Sequence, residues 1–182
     1  MNRKQLLRGQ RREQEKHLKG SDFSQEDQAT CEALLSSRLY KHASWIFAFY
    51  PLATEVNIKP ILQDAIAHKH LALPVCEADN SLVFHEVTTQ VLLQKGPLGI
   101  IEPQEGRQVV PTQGTLILVP ALAFTAQRER LGRGKGYYDR FLQSWSQIDS
   151  LGICRKHQLV TELPLEPWDQ RVGTLLCGGI FF

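Results

Sequence analysis

The chain reads as an α/β protein with three layers, α/β/α, built on a mostly parallel, Rossmann-like sheet and entered through two N-terminal helices. Three observations predict this class. Short apolar runs such as Trp45-Ile-Phe-Ala-Phe-Tyr50, Leu71-Ala-Leu-Pro-Val75 and Leu116-Ile-Leu-Val119 alternate with helical stretches. These runs lack a polar alternation, as expected of parallel strands covered on both faces. Finally, Leu116 to Pro120 leads to the glycine-spaced, basic stretch Arg130-Leu-Gly-Arg-Gly-Lys-Gly-Tyr-Tyr-Asp-Arg140, and a helical pattern follows. Ligands of open parallel sheets sit beyond the carboxyl ends of strands, where both this loop and Tyr50 to Glu55 fall.

The elements follow in order. Lys4 to about Lys19 is rich in helix formers, and Ser24-Gln-Glu-Asp27 resembles a capping box opening a second helix that turns Leu34, Leu35 and Leu39 inward. Strands are expected at Trp45 to Tyr50, Leu71 to Val75, Ser81 to Phe84, Leu116 to Val119, Leu151 to Cys154 and Val172 to Cys177, each bounded by Pro, Gly or polar residues. Helices are expected at Lys59 to Lys69 and at Tyr137 to Trp145, the latter with Phe141, Leu142 and Trp145 as its apolar face, and Glu102 to Gly114 reads as an exposed loop.

A length of 182 residues fits one domain, 1–182, with enough apolar surface to form a core without disulfides or metal staples. A net charge of +2 is too small to argue for nucleic acid. Cys31, Cys76, Cys154 and Cys177 form neither a C-x-x-C pair nor a zinc-ligand spacing, which favours a reducing compartment. No stretch has the apolar core of a signal peptide or the ~20 apolar residues of a membrane span. Arg3, Lys4, Arg8, Arg11 and Arg12 imitate a mitochondrial presequence, but Glu13 and Glu15 follow at once, so the cytoplasm is expected ahead of an organelle, with no membrane partner.

The basic loop departs from both common nucleotide motifs, because Lys135 is followed by Gly136 and the glycines are spaced G-x-G-x-G. Its chemistry still points to an anion. Gly132, Gly134 and Gly136 permit close backbone approach, while Arg130, Arg133 and Lys135 bring cations to the same place ahead of a helix N-terminus. Asp139 lies in the first helical turn, where it either complements the helix dipole or serves as an oxygen ligand for Mg²⁺ beside phosphates. Lys4, Arg8, Arg11 and Arg12 share a helix at spacings of three and four, which on composition alone reads as a solvated face. Glu55 reads either as a helix-capping residue or as a polar anchor in an apolar pocket lined by Phe49 and Tyr50. His85 and His157 have no visible partner and are assigned no chemistry.

Arg130 to Arg140, with the preceding Leu-Val-Pro-Ala-Leu-Ala-Phe124, resembles the signature of the 5-formyltetrahydrofolate cyclo-ligases, also called methenyltetrahydrofolate synthetases. Three further stretches are similar in order and spacing: Lys4-x-x-x-Arg8, Tyr50 to Val56 ending in Glu-Val, and Gly99-Ile-Ile-Glu-Pro103. Asn57-Ile58, Ala121, Thr125 and Trp168 stand where members often have Asp-Thr, Gly, Asp and His.

The resemblance implies an ATP- and Mg²⁺-dependent ligase that closes 5-formyltetrahydrofolate to 5,10-methenyltetrahydrofolate, releasing ADP and phosphate. Carried over by residue, it implies ATP contacts from Lys4, Arg8, Arg130, Leu131, Gly132, Arg133, Gly134, Lys135, Gly136, Tyr137 and Tyr138. It implies folate contacts from Tyr50, Glu55 and Arg133 to Tyr137, magnesium at Asp139 and Asp169, and charge stabilisation by Lys135 and Arg133. A monomer is expected, with no nucleic-acid partner. Two rival readings are a sugar-phosphate isomerase or transferase on a similar fold and a non-catalytic nucleic-acid-binding module that uses the basic first helix.

Overall fold

The structure is a computed structural model and describes residues 2–18, 20–96 and 99–182. Its helices are α1 (Arg3–Lys16), α2 (Ser24–Ser36), α3 (Arg38–His42), α4 (Lys59–His68) and α5 (Tyr137–Ser144). Its strands are β1 (Trp45–Phe47), β2 (His70–Cys76), β3 (Leu82–Val87), β4 (Leu93–Lys95), β5 (Ile101–Pro103), β6 (Gln108–Val109), β7 (Thr115–Val119), β8 (Ala123–Thr125), β9 (Arg130–Leu131), β10 (Asp149–Cys154), β11 (Leu159–Val160), β12 (Thr174–Cys177) and β13 (Ile180–Phe181).

Among the described residues the main sheet has eight strands in the order β13-β12-β10-β7-β1-β2-β3-β6. The central five, β12-β10-β7-β1-β2, are parallel. The edge strand β13 at one side and β3 and β6 at the other pair antiparallel, so the sheet is mostly parallel as expected. Both of its faces are covered, which explains the missing polar alternation. Ile46, Leu116 and Leu118 pack with Leu34 of α2 and Ile61, Leu62 and Ala65 of α4, whereas Phe47, Ile117 and Val119 pack with Phe141 and Leu142 of α5. Successive strand residues therefore serve opposite layers, and both must be apolar.

β1 runs through α4 to β2 on one side, while β7 runs through α5 to β10 on the other. The boundary between β1 and β7 is thus the topological switch point. Its carboxyl ends, Phe49-Tyr50 and Pro120-Ala121, open into a shared cavity.

Several local details differ from the sequence expectations. The capping box at Ser24 does not form: a 3-10 turn over Gly20–Phe23 runs straight into α2, whose N-cap is Phe23 with no side-chain hydrogen bond. Ser37 ends α2 and caps α3 by accepting from Tyr40 N, which places half-buried Leu39 on a separate short helix. The loop expected at Glu102 to Gly114 contains the end of β5 and the edge strand β6. The antiparallel pair β8–β9, to which β11 adds in parallel, forms a small second sheet that holds the glycine loop at its base. All four cysteines are free, and Cys154 and Cys177 are register partners on neighbouring strands. No helix among the described residues is long and apolar enough to cross a membrane.

Candidate active site

The glycine loop begins in β9, paired through Leu131 with Ala123, and ends at α5. Gly134 (φ 111°) and Gly136 (φ 70°) have backbone conformations that L side chains rarely adopt. Gly136 is the N-cap of α5 and offers no side chain to the first-turn N–H groups. Among the described residues, the backbone N–H groups from Arg133 to Asp139 meet no acceptor, and the first bond of the helix is Arg140 N to Gly136 O. Unpaired N–H donors at a positive helix end can accept an anion.

Helix α1 forms one wall of the loop. Leu7 packs against Leu122, Ala123 and Leu131, while Arg8 Nε donates to Gly132 O at 3.0 Å and Arg12 Nη2 to Arg133 O at 2.6 Å. Because the two ends of a trans peptide point in opposite directions, these bonds turn the N–H groups of Arg133 and Gly134 away from α1. Arg11 donates to His157 O at 3.1 Å. The solvated-face reading of the basic run is therefore corrected: Arg8, Arg11 and Arg12 grip backbone carbonyls, and Lys4 is only 5% exposed.

Lys4 Nζ donates to Asp169 Oδ2, which also accepts from Glu166 N at 2.7 Å. Arg130 Nη2 donates to Asp139 Oδ1 at 2.6 Å, and Gln170 N reaches the same oxygen at 3.1 Å. Burial lowers the Arg130 pKa from its ordinary value, and the Asp139 carboxylate opposes that shift. Arg130 Nε and the Tyr138 hydroxyl are buried without a partner among the described residues, and burial pushes the Tyr138 pKa upward. Orphaned buried donors that line a cavity point to a polar ligand.

At the other end, Arg133 joins two carboxylates. Its guanidinium lies 3.3 Å from Glu15 Oε2 and 3.4 Å from Glu55 Oε1. Glu55 also accepts from Leu52 N at 3.0 Å and does not cap α4, whose N-cap is Ile58, so it is the polar anchor rather than the helix cap. Burial raises the Glu55 pKa, while the Leu52 N–H and Arg133 oppose the rise. Tyr50 lines the same cavity, with Lys59 Nζ 5.3 Å from its ring centroid.

The cavity joining these groups has a volume of about 780 Å³. Lys4 and Glu15 are eleven residues apart on α1, which at 1.5 Å per residue sets the Asp169 and Glu55 ends roughly 16 Å apart. Every sequence-predicted site residue borders this one cavity: Lys4, Arg8, Tyr50, Glu55, Arg130 to Asp139, and Asp169. Lys135 is exposed and has no ion pair or hydrogen bond from its ammonium among the described residues. Glu15, Arg12 and Arg140 were not singled out for the site. Glu15 follows Lys4, Arg8 and Arg11 on one helical face, and that spacing was the available signal.

No group of three or more His, Cys, Asp or Glu able to hold a metal occurs among the described residues. Asp139 and Asp169 do fit a magnesium ion that completes its shell with phosphate and water, since each uses one carboxylate oxygen for protein contacts and leaves the other without a partner among the described residues.

The chain is thus an α/β protein with a basic, uncapped helix terminus at the switch point of a parallel sheet, opening into a cavity with a buried carboxylate, an arrangement with the geometry to receive an anion. The sequence profile of the 5-formyltetrahydrofolate cyclo-ligase family matches residues 1–178, and the chain belongs to that family. A 5-formyltetrahydrofolate cyclo-ligase of Haemophilus influenzae is 27% identical over 97% of this chain and 98% of its own length. The Escherichia coli K12 enzyme of the same name is 33% identical over 70% of this chain and 74% of its own. The fold matches that of the Aquifex aeolicus 5,10-methenyltetrahydrofolate synthetase with a TM-score of 0.86 and 29% identity, covering 98% of this chain and 91% of that one.

Proposed function

We propose that the protein converts 5-formyltetrahydrofolate and ATP to 5,10-methenyltetrahydrofolate, ADP and phosphate. The observation that carries this reading is the single cavity in which an anion-accepting glycine loop meets a buried carboxylate, Glu55, through Arg133. Two ligands can meet there, one at each end.

The chemistry explains why a phosphoryl donor is needed. A formamide carbon is a weak electrophile, and its oxygen leaves poorly. Attack of the formyl oxygen on the γ-phosphorus expels ADP and gives an iminium phosphate. N10 then adds to the formyl carbon and loses its proton, and phosphate departs with the former formyl oxygen. Phosphoryl transfer calls chiefly for alignment and charge stabilisation. In this scheme the loop N–H groups, Lys4, Arg8 and Arg130 hold the triphosphate, Lys135 and Arg133 neutralise charge on the transferring group, and Glu55 with Tyr50 orients the folate. Asp139 and Asp169 would hold Mg²⁺, which supplies charge neutralisation at phosphate oxygens.

Incubating the protein with MgATP and 5-formyltetrahydrofolate should produce the absorbance of the methenyl product, with ADP released in equal amount. Omission of ATP or chelation of Mg²⁺ should abolish it. Folded protein that forms no product under these conditions would overturn the proposal.

A further inference from the structure

Trp168 is an anomaly that the proposed chemistry leaves unused. It is 64% exposed, yet it lines the cavity next to Asp169. A large exposed aromatic at a ligand site suggests a surface waiting to be covered.

Its position is fixed by its neighbours. Glu166 N donates to Asp169 Oδ2 at 2.7 Å and Asp169 N to Glu166 O at 3.0 Å, closing a reciprocal turn with Trp168 inside it. Asp169 is bound to the buried Lys4, and Gln170 N is bound to Asp139 on α5. The turn is pinned on both sides, so the indole is presented outward on a fixed frame.

The order of groups along the cavity says what would cover it. Of the cavity's other aromatic side chains, Phe49 and Tyr50 belong to the Glu55 end, Tyr137 and Tyr138 open α5 with the guanidinium groups of Arg140 and Arg130 over their rings, and Trp168 belongs to the Asp169 end roughly 16 Å away along α1. A triphosphate whose terminal group faces Arg133 and Glu55 carries its nucleoside toward Asp169. We infer that Trp168 is the stacking platform for the nucleoside's base, a planar heteroaromatic ring. This inference rests on the ATP-dependent reading above.

The test compares wild type, Trp168→Ala and Trp168→Phe, titrated with MgATP and with inorganic tripolyphosphate. Stacking of a base on an aromatic side chain is worth ~1–3 kcal/mol, so Trp168→Ala should raise the Kd and KM for ATP by about tenfold, with the loss falling on KM rather than kcat. Tripolyphosphate affinity should stay the same, and Trp168→Phe should retain most of the ATP affinity. Trp45 and Trp145 do not line the cavity, so ATP but not tripolyphosphate should change the indole fluorescence, and Trp168→Phe should remove that change. ATP affinity unaltered in Trp168→Ala, or an equal loss for tripolyphosphate, overturns the inference while leaving the reaction standing. Wild-type protein that binds tripolyphosphate but not ATP, and forms no methenyl product, overturns both.

Discussion

Gly136→Ala tests whether the backbone shape of the loop, rather than its charge, makes the site. Gly136 has φ 70° and ψ 14° at the N-cap of α5. An alanine there costs about 1–2 kcal/mol in left-handed backbone strain. Its Cβ would also sit 2.8 Å from Arg140 Nη1. Arg140 is the strut that bonds Lys135 O at 2.8 Å and also bonds Asn80 O, and moving it loosens bonds worth about 0.5–1.5 kcal/mol each in general, taken at the lower end for this exposed side chain. The combined loss is about 2–3 kcal/mol. If the variant loop keeps its shape, the loss appears as lower global stability. If it relaxes and must be reformed around the ligand, the loss appears in the Kd for MgATP. Urea unfolding and calorimetric titration together capture both, and their sum should approach that figure. Gly9→Ala is the control of opposite sign, because Gly9 lies inside α1 with open space around it and alanine there should stabilise by about 0.5–1 kcal/mol. A Gly136→Ala protein within about 0.5 kcal/mol of wild type on both measurements would refute the reasoning.

Three other outcomes follow from the same geometry. Lys135→Ala should lower kcat by at least roughly tenfold in the methenyl absorbance assay without altering the unfolding midpoint, because the side chain is exposed and unpaired; unchanged turnover would remove Lys135 from the chemistry. Glu55 has its folded pKa raised by burial, so its contribution to stability is fully present below the ordinary value of 4.5 and is lost as pH rises through the folded value; Glu55→Gln should abolish that pH-dependent loss along with the acidic limb of kcat/KM for folate, and Arg133→Met should move the limb to higher pH. The Arg155–Asp27 pair is buried and bidentate at 2.8 Å, so Asp27→Ala should cost about 3–5 kcal/mol in chemical denaturation, whereas Asp27→Leu with Arg155→Met should recover most of it.

The sequence discloses those parts of the fold whose cause is local. β1, β2, β7, β10 and β12 are legible because burial on both faces forces consecutive apolar residues, and α5 because Phe141, Leu142 and Trp145 fall on one helical face behind a glycine. The short strands are not, since β4 is exposed throughout and β8 and β9 acquire strand geometry by pairing with one another and, for β8, with β11. Ser24 misleads because capping signals identify a residue type and cannot reveal that a preceding 3-10 turn already delivers the chain in helical form. The basic face of α1 misleads for a related reason. Its partners, the carbonyls of Gly132 and Arg133, lie more than a hundred residues away. Glu55 was recognisable as a candidate, but the choice between helix cap and cavity anchor is made by Arg133, on a segment brought near only by the switch-point topology.

Under the proposed reaction, the ion pairing around the cavity singles out Lys135 for the chemistry. Asp169 is matched by Lys4, Asp139 by Arg130, and Glu15 and Glu55 share Arg133. Such matching is what allows Lys4 and Arg130 to be buried at all, since an isolated buried charge costs several kcal/mol. Arg8 and Arg12 are occupied by loop carbonyls. Any cation already engaged must weaken an existing bond before it can serve a triphosphate, and that cost offsets part of its attraction. Lys135 has no such bond to break among the described residues, and it stands between the two glycines whose positive φ shapes the loop. Its long side chain can therefore follow charge that develops on the transferring group with little loss elsewhere, while the paired residues keep the surrounding frame fixed.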